Sequence, residues 1–255
     1  MNIAVVGMGY VGNAVAQTFS NYMTVYGVDP KKPDCVATIK DLPAFVDGVV
    51  ISVPTPQGTD GSCDMSIVYQ VLADCPKKYP ILIKSTISIE GWKEIKERFP
   101  TLNITFSPEF LTAANAEQDF RNSKHAYLAD GDTSFWAYVL RRVFGDEFTV
   151  HVDEPEVLII SKYLRNCFLA TKVSFFNQAY DLCKNLGIDY ENVKQYAGED
   201  ARIGHSHTAV TKERGFGGAC FPKDTQALLK IAENAHTNLT ILRDAVEYNK
   251  WIRRE

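Results

Sequence analysis

The sequence of 255 residues is short of several things that would narrow its role. It has six cysteines, at 35, 63, 75, 167, 183 and 220, and no two stand in a C-x-x-C pair. That spacing argues against a zinc site or a disulfide frame and for reduced thiols in a cytoplasmic protein. It has no basic block, and its net charge is −4, so nothing points to nucleic acid. It has no apolar run long enough to span a membrane. The opening "MNIAVVGMGYVG" begins a strand at once, without a charged leader or a small-residue cleavage site, so no signal peptide is expected. No segment is of low complexity and none repeats at a fixed period. His205 and His207 in "HSH" lack a third ligand, so no metal is expected.

What is present is an alternation of strands and helices. Strands are expected at "NIAVVG", "MTVYGVD", "GVVISVP", "PILIKST", "NITFSP" and "HAYLA", with the helix "VGNAVAQTFS" after the first. This order predicts an α/β fold, a Rossmann-type parallel sheet with helices on its faces, over residues 1–153. From 154 the texture changes. An apolar stripe at helical spacing runs through Val157, Ile160, Leu164, Cys167 and Phe168 to Leu186, with Gly187 placed to end it. Residues 154–255 are therefore expected to form an all-α domain, led by a long helix of the kind that crosses between domains or builds dimers.

Two stretches carry chemistry. In "VVGMGYVG", Gly7, Gly9 and Gly12 form G-x-G-x-x-G between the first strand and the first helix. The first glycine makes the turn, the second admits a pyrophosphate, and the third lets helix and strand pack. Asp29 ends the second strand, seventeen residues after Gly12, where a carboxylate accepts the adenosine ribose hydroxyls and repels a 2′-phosphate. NAD is thus the expected cofactor, although Lys31 and Lys32 are cations that could receive that phosphate. The pattern also fits a bare glycine turn or another adenosine cofactor.

The second stretch is "GFGGACFPKD", residues 215–224. Its glycines bring the backbone close to something bulky. Pro222 suits a helix start, and "PKDTQALLKIAENA" reads as that helix. Cys220 is then placed before a helix N-terminus and beside Lys223, two features that stabilise a thiolate. The other five cysteines read as small buried hydrophobes. Asp224 equally suits the helix dipole, and Lys162 equally suits a solvated helix edge.

With these pieces in place, the chain resembles the UDP-glucose/GDP-mannose dehydrogenase family. The stretches "GMGYVG", "SVPTP" at 52–56, "KSTI" at 84–87, "SPEFL" at 107–111, "KYLRNCFLATKVSFFNQ" at 162–178, "DARIG" at 200–204 and "GFGGACFPKD" run in the family's order. The resemblance implies NAD-dependent oxidation of the C6 hydroxyl of a nucleotide sugar to a carboxylate, with two hydride transfers. It implies Cys220 as the nucleophile and Asp224 as its neighbour in the site. Lys162 and Asn166 would stabilise oxyanions, and Thr86 and Glu109 would handle the hydrolytic water. For the cofactor it implies Gly7, Gly9, Tyr10, Val11, Gly12, Asp29, Val53, Pro54, Thr55, Ser85 and Thr86. For the substrate it implies Phe110, Leu111, Lys162, Asn166, Arg202, Phe216, Gly217 and Gly218. A homodimer is implied as well.

The chain departs from the family pattern in three places. Ala113 stands where a second glutamate is usual. The segment from Asp29 to "VPTP" is short. The sequence stops at "AVEYNKWIRRE", corresponding to two of the usual three domains. Two other readings stay open: a dehydrogenase making one hydride transfer on a smaller hydroxy acid, which needs no thiol, and a non-catalytic NAD-binding, dimerising module.

Overall fold

A computed structural model describes residues 1–112 and 114–254. Ala113, the site of the first departure, lies outside the described residues. The chain divides into two compact units: residues 1–58 with 63–162, and residues 59–62 with 163–255. The division falls within a helix, at 162/163 rather than at the expected 153/154.

In the first unit, β1 (Asn2–Val6), β2 (Thr24–Val28), β3 (Gly48–Ile51), β4 (Pro80–Ile83) and β5 (Asn103–Phe106) form a parallel sheet in the order β2-β1-β3-β4-β5. All four residues of β3 are buried, as are the last three of β4 and the last four of β1. Strands covered on both faces have no need to alternate, hence the unbroken runs "IAVV" and "GVVI". Between the strands run α1 (Tyr10–Phe19), α2 (Ser66–Asp74), α3 (Ile89–Arg98), α4 (Ala116–Arg121) and α5 (Thr133–Phe144), with a 3₁₀ turn at Ile39–Asp41. Ile3, Val5, Val15 and Phe19 pack with Phe120, Trp136 and Leu140 in one core, so α1, α4 and α5 share a face of the sheet.

The expected strand "HAYLA" does form, as β6 (His125–Leu128), but it does not extend the main ladder. It pairs in parallel with β7 (Thr149–Val152) as a separate two-stranded sheet. Ala129, just past β6, meets Phe106 of β5 through an antiparallel bridge with both bonds at 2.9 Å. That direction cannot continue a parallel ladder.

The helix α6 (Pro155–Leu186) spans 32 residues and ends at Gly187, whose φ of 69° is a left-handed stop. In the second unit it is followed by α7 (Tyr190–Gly198), α8 (Phe221–Asn234) and α9 (Thr240–Arg253). Ala170, Phe216 and Val246 form one small core with Val173, Phe221 and Leu229, and Phe176, Cys183 and Tyr190 form another.

Candidate active site

In the first unit the sheet order reverses at β1, whose neighbours β2 and β3 lie on either side of it. In such sheets the crevice at the carboxyl ends of those strands is the ligand site. A cavity of about 530 Å³ opens there, lined by Gly7, Asp29, Lys31, Val53 and Pro54 among others.

The three glycines differ in what surrounds them. Gly7 has φ 87°, and a side chain on it would press on Ser52 and Val53 of β3's outgoing end at 2.8 Å. A side chain on Gly12 would collide with the Gly7 carbonyl, so helix and turn pack through it. Gly9, ahead of α1, faces open space, with no atom within 4 Å of a built side chain. A bulky phosphate is thus admitted at the second glycine, where amides and the helix N-terminus favour an anion. Tyr10 is exposed beside it, while Val11 leans on the core.

Asp29 is committed locally. Its carboxylate accepts from the Met8 amide at 3.0 Å and the Lys31 amide at 2.9 Å. Burial opposes its charge, but those two bonds and the ammonium groups of Lys32 and Lys31 outweigh burial and hold its carboxyl below the usual range. A carboxylate has about four acceptor positions, so two such bonds leave room for ribose hydroxyls. The residues present fit a dinucleotide. Ser85, expected at the cofactor, is buried and donates to the Val53 carbonyl at 2.8 Å, tying "KSTI" to "SVPTP". Thr55 is buried and Pro54 exposed.

Thr86 and Glu109 end neighbouring strand loops. The Thr86 carbonyl accepts from the Cys63 thiol at 3.4 Å. Glu109 does not present an open carboxylate: Oε2 lies 2.9 Å from the ammonium of Lys84, and Oε1 accepts from the Phe110 amide at 2.9 Å. Lys84 is buried and Glu109 is nearly so, with side chains 6% and 11% exposed. Lys84 also reaches the Ser107 hydroxyl at 3.3 Å. The Glu109 carbonyl in turn accepts from the Lys162 ammonium at 2.8 Å. Lys84 is the residue that sequence reasoning missed. Its only signal was a lysine closing the apolar strand "ILIK", where a solvated residue would be out of register. Phe110 packs edge-on to Tyr127, and Leu111 leans on the core.

In the second unit, Cys220 stands at the N-cap of α8, with Pro222 in the first turn. Cys220 is exposed, whereas Cys63, Cys75, Cys167 and Cys183 are buried. Burial, then the charge of Asp224, pushes the Cys167 thiol up to about 12, and burial pushes Cys75 up to about 12. Neither is a nucleophile at neutral pH. Asp224 is only 1% exposed. Its Oδ2 accepts from the Asn166 amide and its Oδ1 from Lys223, both at 2.6 Å. Lys223, expected to support the thiol, thus gives its charge to Asp224.

The glycine stretch now has its explanation. A side chain on Gly215 would collide with the Asn249 carboxamide oxygen, and one on Gly217 would crowd the Arg253 guanidinium at 3.2 Å. Gly218 faces open space at φ 79°. Phe216, expected at the substrate, turns its ring into the core, only 4% exposed. Arg202 is 89% exposed in its side chain and pairs with Asp200 at 2.6 Å. Lys172 holds that loop through the Ile203 carbonyl at 2.7 Å.

Comparison with known proteins points to one family. Residues 35–143 match the model of the UDP-glucose/GDP-mannose dehydrogenase family NAD binding domain, and residues 159–251 match that family's central domain. A UDP-glucose 6-dehydrogenase of Rickettsia conorii is 33% identical over 80% of this chain and 49% of its own length. One from Pseudomonas aeruginosa is 30% identical over 97% of this chain and 64% of its own. The chain thus spans between half and two thirds of these relatives. A solved UDP-glucose dehydrogenase from Pyrobaculum islandicum superposes with a TM-score of 0.82 at 26% identity, over 98% of this chain and 68% of that one. Two successive domain models of one family, in order, cover both units: the chain belongs to the UDP-glucose/GDP-mannose dehydrogenase family, and its first unit is that family's NAD-binding domain.

Proposed function

We propose that this chain carries out NAD-dependent oxidation of the C6 hydroxyl of a nucleotide sugar to the carboxylate, through a covalent bond to Cys220. The observation that carries this reading is the exposed Cys220 at the start of α8, with the buried Asp224, hydrogen-bonded to Asn166, one turn along. NAD supplies a hydride acceptor, needed twice. In the first oxidation the alcohol loses its hydroxyl proton and a hydride and becomes an aldehyde. The Cys220 sulfur then adds to the aldehyde carbon, its thiol proton passing to the oxygen, giving a thiohemiacetal, which loses its hydroxyl proton and a hydride and becomes a thioester. Water cleaves the carbon–sulfur bond, releasing the carboxylate and restoring the thiol. The Lys162 ammonium and the Asn166 amide stabilise the oxygens that gain charge. Lys162 is steadied by the Glu109 carbonyl, and Asn166 by Asp224. Glu109 is ion-paired with Lys84, two residues before Thr86, and these two loops handle the hydrolytic water.

The same reading includes a homodimer built on α6. Leu164, Phe168, Phe175, Leu182 and Leu186 are between 53% and 67% exposed along that one helix, an apolar stripe that a second copy would cover. The same reading includes a cytoplasmic setting, where thiols stay reduced. The test is a panel of UDP- and GDP-sugars incubated with NAD while NADH is counted per sugar consumed. Two NADH support the proposal. One favours single-step oxidation, and none favours the non-catalytic module.

A further inference from the structure

The segment before Cys220 is held by polar side chains that the reaction itself does not use. Asn249, near the end of α9 and 5% exposed, brackets the backbone of Phe216: its Oδ1 accepts the Phe216 N–H at 2.6 Å, and its Nδ2 donates to the Phe216 carbonyl at 3.0 Å. Asn177, on α6 and 1% exposed, accepts the Gly215 N–H at 3.0 Å and the Arg214 Nε–H at 2.9 Å. Arg253 donates to the Arg214 carbonyl at 3.1 Å, and the Arg214 guanidinium is anchored on Asp181 at 2.8 Å. Residues 214–216 are thereby tied from α6 and α9. On the far side of the thiol, Phe221 and Pro222 open α8, and the Asp224 amide donates to the Cys220 carbonyl at 2.8 Å. Only residues 217–220 span the interval between these anchors, and 218–220 are exposed.

Such an arrangement exceeds what burial requires. An apolar residue at 249 would continue the buried face of Leu242, Ala245 and Val246. A carboxamide there instead imitates a strand edge, satisfying one donor and one acceptor of a segment that has no strand partner. Gly215, at φ 55°, is what allows the approach.

We infer that Asn249, with Asn177 beside it, is a positioning residue: it fixes the glycine segment at Phe216 and thereby sets where the Cys220 sulfur stands. This rests on the dehydrogenase reading for its effect on turnover, but the clamp itself is independent of that reading. Attack on a carbonyl carbon is sensitive to such placement, and a displacement of about 1 Å lowers rates by roughly a hundredfold. The first oxidation does not use the sulfur and should be spared.

The test compares the full chain with Asn249→Leu, which removes both bonds, Asn249→Asp, which keeps the acceptor for the Phe216 amide, and Phe176→Leu, a destabilised control in the other small core. In Asn249→Leu, amide exchange at Phe216 should quicken more than tenfold while that of the α6 amides stays unchanged. Alkylation of Cys220 by iodoacetamide should slow several-fold, because the sulfur is no longer kept at the helix start. With a nucleotide sugar and NAD, the yield should fall from two NADH towards one, with aldehyde trapped by semicarbazide and KM for NAD unchanged. Asn249→Asp should fall between, and Phe176→Leu should keep two NADH. Unchanged Phe216 exchange and alkylation in a folded Asn249→Leu would overturn the proposal, as would an equal loss in the control. If the wild-type chain releases no NADH from any sugar, the dehydrogenase reading fails. Exchange and alkylation then decide the clamp by themselves.

Discussion

Replacing Lys84 by methionine tests the buried ion pair on which the Glu109 loop rests. The two side chains are 6% and 11% exposed and 2.9 Å apart. Methionine keeps most of the stem's packing but leaves the Glu109 carboxylate buried, with the Phe110 amide at 2.9 Å still donating to it. Removing one partner of a buried pair costs about 3–5 kcal/mol, mostly from the stranded charge. An exposed pair would cost about 1 kcal/mol or less. A whole domain is stable by only about 5–15 kcal/mol, so the two cases are far apart on a urea curve. Tryptophan fluorescence is a suitable reporter, because Trp92 and Trp136 in the first unit are 3% and 0% exposed, while Trp251 in the second is 72% exposed. The double variant Lys84→Met with Glu109→Gln removes the charge altogether. It should recover most of the loss, giving a coupling of about 2–3 kcal/mol. A loss under about 1 kcal/mol in Lys84→Met, or no recovery in the double variant, would refute the assignment of this pair as a buried structural charge.

Cys220→Ser should abolish complete oxidation while leaving NAD affinity by calorimetry unchanged, since a serine hydroxyl is a far poorer nucleophile. Calorimetry should also show NAD preferred over NADP, and Asp29→Ala should narrow that preference. Asp29 has a lowered folded-state pKa, so its stabilisation is present above its unfolded value of about 3.9 and is lost as pH falls through the folded value. Asp29→Asn should therefore be less stable than wild type at neutral pH and equal to it in strong acid, as read by thermal unfolding across pH. Phe168→Glu with Phe175→Glu should yield a monomer by light scattering where the unaltered chain should scatter as a dimer, because both rings are exposed on α6.

The local parts of this protein were legible in its sequence because their causes are local. The turn at Gly7, the packing contact at Gly12 and the stop at Gly187 each follow from what a missing Cβ permits within a few residues. The α/β alternation and the long α6 follow from apolar periodicity. So does the place of Cys220 ahead of a helix, which needs only the proline and the pattern after it. What the sequence did not disclose are pairings between distant segments. That "HAYLA" would join β7 rather than the main sheet depends on which edge is nearest once the chain is folded. That Glu109 would face a buried Lys84, and Asp224 take up Asn166, depends on polar groups brought together across 25 and 58 residues. That the Phe216 ring would lie buried in a small core follows from α6 and α9 closing on it. A polar residue at an apolar register position, as at Lys84 and Asn249, marks that a partner must exist, because an unpaired polar group in a core is expensive. Only the tertiary structure names the partner.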